Sequence, residues 1–388
     1  MALNLLDLPG CPLDQQTFSW RELAPGPISK LDDDAFTRVR VIQMNAIEHE
    51  SLRFQHACAR MNSELRLPLA QIRRVEQHQA TTIGNLIGAE HSPLETTIAH
   101  EQLAIELTAT IAQREPDPYL AGVYRYGLLE DCDHLYRFAA MLDRLEGKDA
   151  NTILQCHTDI LPGRPTVVEH RAPQDELRRP FDRRFVTLDS RFNALTITAV
   201  KQRTHDYYLN TGPLFSDPLA RLLYAEIASI EEQHVTQYES IADPLQGWLE
   251  QWLLHEANEA WLYLGCVAQE PNPRLRALWE RFLDYELGQL REVARLFRHI
   301  ERRDPAEALA AAPPPLQLQS QREFVQRTVA AETGRRAVGA RFTDDGTESD
   351  STLDYRERMN DAGSPSDAIA SGYRWKPGTE LNRLPLHP

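Results

Sequence analysis

The chain contains no run of about twenty apolar residues, so no helix is expected to span a membrane. Cysteine is sparse. The five residues (Cys11, Cys58, Cys132, Cys156, Cys266) are odd in number and lack a paired-knuckle spacing, which excludes a disulfide framework and suits a reducing compartment. Positive charge is short as well: 42 Lys and Arg stand against 57 Asp and Glu, a formal net charge of −15. That balance argues against nonspecific nucleic-acid binding and offers no attraction to an anionic membrane surface. Neither a phosphate-cradling glycine loop nor a nucleophile-elbow serine occurs. The opening "MALNLLDLPGCPLDQQ" has no basic lead and no uninterrupted apolar stretch, so no secretory signal is expected and the expected location is cytoplasmic.

What is present is helix. The 388 residues are 42% hydrophobic and 26% charged, ordinary values for a soluble chain with room for two or three domains. Residues 1–31 are punctuated by Pro and Gly and read as an irregular segment. A first helix opens near Asp33, and Pro68 fits the first turn of a second. "SPLE" at 92–95 has the form of a capping box with proline at N1, and Asp117-Pro118 caps a fourth helix. Residues 151–188 read as a crossover. The β-branched "LTITAV" favours strand, but Phe192, Leu195, Ala199 and Gln202 trace a helical stripe, so 189–210 is read as helix. Three more helices follow to about residue 302. Apart from a helix at 319–332, residues 305–388 read as an extended or disordered tail.

The helical region repeats itself. Sliding the sequence by 155 residues aligns 76–149 with 231–304 without a gap, and 16 of the 74 positions are identical. Composition alone would give roughly four or five. The turn Glu115-Pro116-Asp117-Pro118 answers Glu270-Pro271-Asn272-Pro273. Glu76 falls on Glu231, Glu101 on Glu256, Asp131 on Glu286, Gln79 on His234 and His134 on Gln289.

Acids recur on the apolar seams, read at steps of three and four. The third helix runs Leu94, Ile98, Glu101, Ile105, and its copy runs Leu249, Leu253, Glu256, Ala260, Tyr263. The fourth gives Leu128, Asp131, Leu135, Phe138, and its copy Leu283, Glu286, Leu290, Val293. The second gives Ile72, Glu76, Gln79, Ile83, and its copy Ile227, Glu231, His234, Tyr238. The first reads Phe36, Val39, Ile47, Glu50, Phe54, with Glu48 as the competing acid. Unpaired buried carboxylates cost several kcal/mol each and repel one another. A pair of divalent cations is the economical way to keep such a layer.

Glu on one helix and Glu-x-x-His on the next, twice over, resembles the ferritin-like di-iron and di-manganese carboxylate proteins, such as rubrerythrins and manganese catalases. The resemblance covers residues 33–302. It implies an all-α fold of two repeated ferritin-like four-helix bundles, at 32–150 and 189–304, packed together with the crossover and the tail. It implies Fe or Mn as a di-metal centre, and metal ligands drawn from Glu50, Glu76, Glu101, Asp131, His134, Glu231, His234, Glu256 and Glu286. Gln79 and Gln289 stand where histidines are expected, and the second half offers only Gln202 or His205 in place of a first-helix acid. Each half then keeps a reduced site, or one half has become scaffold, or a composite site forms across the halves. The implied function is an oxidoreductase acting with O₂ or peroxide, and with a small-molecule substrate; a homo-oligomer is left open. The alternative is a metal-free helical scaffold that binds a protein partner through its tail. Tyr238, Trp252, Trp261 and Trp279 read as core aromatics and Cys132 as a structural thiol. His234→Ala is expected to lower bound metal more than His255→Ala; elemental analysis showing the reverse order would mean that the helix phase is wrong.

Overall fold

Helix boundaries follow local chemistry. The computed structural model describes residues 3–30, 33–88, 90–309, 311–334, 336–338, 341–343 and 348–379. The ends of the N-terminal segment (1–2 and 31) and the last nine residues of the tail lie outside the described residues. Eight long helices carry the fold: α1 (Ala35–Met61), α2 (Arg66–Gly84), α3 (Pro93–Arg114), α4 (Pro118–Glu146), α5 (Leu188–Thr211), α6 (Pro218–Glu239), α7 (Trp248–Gln269) and α8 (Pro273–Glu301). The chain is all-α apart from a small antiparallel ribbon, Arg336–Val338 with Arg341–Thr343.

Asp34 accepts from the Thr37 amide at 2.8 Å and starts α1. Ser92 and Glu95 form the expected capping box ahead of Pro93. Such caps are worth about 1 kcal/mol each. The repeated turn is built the same way twice. Glu115 accepts from the Asp117 amide at 3.1 Å, and Glu270 from the Asn272 amide at 3.0 Å. Asp117 and Asn272 then cap α4 and α8 through their side chains. The segment 189–210 is helix as read, because Phe192, Ile197 and Val200 find a buried face.

The long helices fall into two compact units. The first comprises 1–90, 181–199 and 242–317, and so contains α1, α2, the start of α5, α7 and α8. In it α1 packs on α2, α7 on α8, and α7 also against α1. Trp252, Trp261 and Trp279 are fully buried in its core. Trp261 donates to the carbonyls of Pro313 and Pro314, both at 3.1 Å. The chain passes so close over α7 here that a Cβ on Gly265 would sit 2.1 Å from the Leu316 carbonyl oxygen. The second unit comprises 91–180, 200–241 and 318–388, and so contains α3, α4, the end of α5 and α6. There α3 packs on α4, and α4 against α6. Among the described residues no helix is long and apolar enough to cross a membrane.

The expected consecutive halves, 32–150 and 189–304, are therefore not the compact units. Each unit joins one helix pair from before residue 150 to one from after residue 188. Periodicity marks the face a helix buries, but all four pairs bury similar acid-bearing seams, so it is silent on which pair covers which.

The tail also departs from expectation. Beyond the anticipated helix (Arg322–Glu332), residues Asp350–Met359 and Pro365–Ala370 are helical. The Ser366 amide donates to Glu226 at 2.7 Å, and the Ser366 carbonyl accepts from Arg137 at 3.1 Å. Thr352 accepts from the Ala172 amide at 3.0 Å. Polar contacts rather than an apolar stripe hold this segment, which is why composition reads it as disordered. The crossover behaves alike. Arg164, Arg171 and Arg178 lie 4.0, 4.7 and 5.9 Å from the Tyr126 ring centroid.

Truncating Trp279 to Ala is expected to cost about 3–5 kcal/mol in chemical denaturation, from lost burial and the cavity left behind. Limited proteolysis is expected to leave 348–373 protected. Rapid trimming there would contradict the docking just described.

Candidate metal centres

In the first unit four helices send acids to one place. Glu48 comes from α1, Glu76 from α2, Glu256 and Glu259 from α7, and Glu286 from α8. All five are buried, at most 1% exposed. Their oxygens form two triads, Glu48–Glu259–Glu286 and Glu76–Glu256–Glu286, each with its atoms within 4.8 Å of one another. Glu286 belongs to both, so the cluster offers two adjoining cation positions with one shared carboxylate. Gln79 donates to Glu286 at 2.7 Å and to Glu48 at 3.2 Å. Ser51 and Gln55 donate to Glu76 at 3.0 and 2.6 Å. Trp252 donates to Glu256 at 2.6 Å, and the Tyr263 hydroxyl to Glu48. These neutral donors satisfy both oxygens of Glu76 and Oε1 of Glu48, Glu256 and Glu286. Glu48 Oε2, Glu256 Oε2, Glu286 Oε2 and both oxygens of Glu259 are left without a hydrogen-bond donor.

No ion pair reaches these five acids among the described residues. Burial raises Glu76 to about 8, reinforced by the charge of Glu286. Burial also raises Glu286, to about 7. Glu48, Glu256 and Glu259 are driven well up by burial first and by their acidic neighbours second. Such a set is stable only when protonated or bridged by cations. Its donors are all oxygen, which suits a hard divalent ion such as manganese. The orphaned oxygens are what such ions require, so the residues fit the metal that the sequence pattern implies.

The second unit builds a different centre from equivalent positions. Glu101 comes from α3, Asp131 and His134 from α4, Glu231 and His234 from α6. Two triads again share one carboxylate: Glu101–His134–Glu231 and Asp131–Glu231–His234. His134 Nδ1 lies 3.1 Å from Glu231 Oε1. Tyr208 of α5 donates to Glu101, and His234 Nε2 contacts Glu130. Thr108 donates to Asp131 Oδ2 at 3.0 Å. Lys201 of α5 enters the cluster, donating to Asp131 Oδ1 and, at 3.1 Å, to Glu231 Oε1. The Lys201 side chain is fully buried.

That ammonium changes the electrostatics. Burial opposes the charged forms of both Lys201 and Glu231, yet Asp131 first and Glu231 next raise Lys201, and Lys201 with the two imidazoles holds Glu231 well below the carboxylate range. Glu101 does not touch Lys201 and is raised by burial to about 8. Burial and Lys201 press His234 down, yet the charge and hydrogen bond of Glu130 together with Glu231 outweigh them and leave it at about 10. A metal bound at these imidazoles would displace their protons.

Eight of the nine residues expected from sequence as ligands lie in these two clusters. Glu76, Glu256 and Glu286 meet in one unit; Glu101, Asp131, His134, Glu231 and His234 meet in the other. Glu50 does not join them. It is only half-buried, while Glu48 is fully buried in the cluster. Two residues turn about 200° around a helix, so only one of this pair faces inward. Gln202 and His205 are corrected in the same way: they bond to each other at 3.3 Å and to Asp206, one residue or more beyond the inward-facing Lys201. His255 stacks on Phe54 with centroids 4.4 Å apart and belongs to neither centre.

Sequence reasoning missed Glu259, Lys201, Tyr208 and Glu130. Glu259 is three residues after Glu256 and four before Tyr263, on the same seam. Lys201 is four residues after Ile197 and seven before Tyr208, all of them buried. Compared with protein-family models, curated proteins and solved structures, the chain matches none.

The raised carboxyls set a pH dependence. In chelator-treated protein Glu76 and Glu286 keep protons that the unfolded chain releases near 4.5, so their stabilisation is full below 4.5, is lost progressively from there up to about 7 for Glu286 and about 8 for Glu76, and changes no further above. The thermal midpoint of metal-free protein is expected to fall over that interval, and Mn²⁺ is expected to restore it. A midpoint that rises with pH there would contradict this electrostatic picture.

Proposed function

We propose that the chain is a diverged, internally duplicated ferritin-like protein that holds Mn or Fe in buried carboxylate centres and acts as an oxidoreductase with O₂ or peroxide. The observation that carries the reading is Glu286 shared between two acid triads in a dry interior where no ion pair reaches them among the described residues. Two divalent ions about 3.5–4 Å apart are what a shared carboxylate accommodates. Five ionised carboxylates offset the whole charge of two such ions and exceed it by one. The all-oxygen donor set favours manganese over iron in this centre. When bound, the ions supply redox equivalents and Lewis acidity toward O₂ or peroxide.

The chain's own residues do the positioning. Tyr263 holds Glu48, Gln79 spans Glu48 and Glu286, and Ser51 with Gln55 holds Glu76. The surrounding Trp252, Trp279 and Phe282 exclude water, which strengthens every charge interaction inside. Electrons would come from peroxide, a reductase or the substrate. A cytoplasmic location fits the free thiols of all five cysteines.

One observation favours a second reading, a metal-free helical scaffold: Lys201 already neutralises part of the acid cluster in the second unit. The orphaned acids of the first unit count against it. Elemental analysis of untagged protein purified without chelator separates the two. Near-stoichiometric Mn or Fe is expected, with Glu286→Ala losing most of it and Glu50→Ala little. No metal after supplementation would leave the scaffold as the better account.

A further inference from the structure

The two triads of the second unit are unequal. In Glu101–His134–Glu231 every member keeps an unpartnered atom: Glu101 Oε2, His134 Nε2 and Glu231 Oε2. All three side chains are fully buried. In Asp131–Glu231–His234 the shared Glu231 Oε2 and His234 Nδ1 are likewise without a hydrogen-bond partner, 3.6 Å apart, but both oxygens of Asp131 and Oε1 of Glu231 are taken. Asp131 Oδ1 and Glu231 Oε1 both accept from Lys201, and Asp131 Oδ2 accepts from Thr108. The third member, His234, directs Nε2 to Glu130. An ammonium thus bridges the two carboxylates that a divalent ion at this position would bridge.

Charge points the same way. With the imidazoles neutral, as ligation of a metal would require, Glu101, Asp131 and Glu231 sum to three negative charges, and Lys201 leaves two. One divalent ion neutralises that remainder, whereas two would leave the buried centre with a surplus of positive charge, which is costly in a dry interior. In the first unit no lysine enters, and five acids face two positions.

We infer that Lys201 is the built-in cation of one of the two positions in the second unit, so that this unit takes a single divalent ion, held by Glu101, His134 and Glu231. The inference rests on the metal-binding reading above and divides the two units by stoichiometry: a two-ion centre of oxygen donors and a one-ion centre with nitrogen. Lys201 is a positioning residue in this scheme. Its ammonium fixes Asp131 and Glu231 and keeps the second position closed.

An anomalous-scattering map of full-length protein crystallised with Mn²⁺ tests this. The wild type is expected to show two peaks among Glu48, Glu76, Glu256, Glu259 and Glu286, and one peak beside Glu101, His134 and Glu231. Lys201→Glu, which replaces the ammonium by a carboxylate, is expected to add a peak between Asp131, Glu231 and His234. Lys201→Met, for which no new ligand is created, is expected to unfold at lower temperature when metal-free and to gain more from Mn²⁺ than the wild type does. Two peaks in the wild-type second unit, none there beside occupied positions in the first, or an unchanged single peak in Lys201→Glu would each overturn the inference while leaving the first centre intact. No peak in either unit would overturn the proposed function and the inference together. Should Lys201→Glu fail to fold, the wild-type peak count decides.

Discussion

An ionised carboxylate cannot remain unpaired in a dry protein interior, and this chain places at least eight acids under that constraint. Desolvating even one such group costs several kcal/mol after relaxation, a large share of the total stability of a typical domain. Natural helices avoid the problem by turning acids outward. Here Glu48, Glu76, Glu101, Asp131, Glu231, Glu256, Glu259 and Glu286 all turn inward with almost no exposure. The two units meet the cost differently. In one, Lys201 and two imidazoles share the charge; in the other, neutral donors satisfy some oxygens and leave others with nothing. The second situation is the one that calls for bound cations.

Much of the fold was legible because helix starts are local chemistry. The capping box at Ser92, the Asp117-Pro118 and Asn272-Pro273 turns and the helix start near Asp33 are read from a few adjacent residues, and the structure builds helices from each, the last capped by Asp34. Inward-facing acids were legible too, since a step of three or four through apolar neighbours names the face. Where two acids compete within one turn, as at Glu48 and Glu50, the stripe on a mostly buried helix is too broad to choose. Lys201 was illegible for another reason. A lysine is read as a surface residue, and only the presence of Asp131 and Glu231 across the core makes its burial tolerable.

Pairing of the helices was the largest item beyond reach, and it alters the meaning of the repeat. Read along the sequence, each half lacks one histidine: Gln79 in the first and Gln289 in the second. Read in space, α2 and α8 share one unit, and α4 and α6 share the other. Both glutamines therefore fall in one centre and both histidines in the other. What looks like two damaged copies becomes two distinct donor sets, one of oxygen alone and one of mixed oxygen and nitrogen.

The central claim is that protons occupy the acids of the first unit only until metal replaces them. Calorimetric titration of chelator-treated protein with Mn²⁺ tests this most directly, run at about pH 6 in two buffers of different ionisation heat, below the values of Glu76 and Glu286. The account predicts saturable binding whose heat changes with the buffer in the sense of proton release, and a smaller release in Glu286→Ala. Absence of binding, or binding with no proton released, would contradict it.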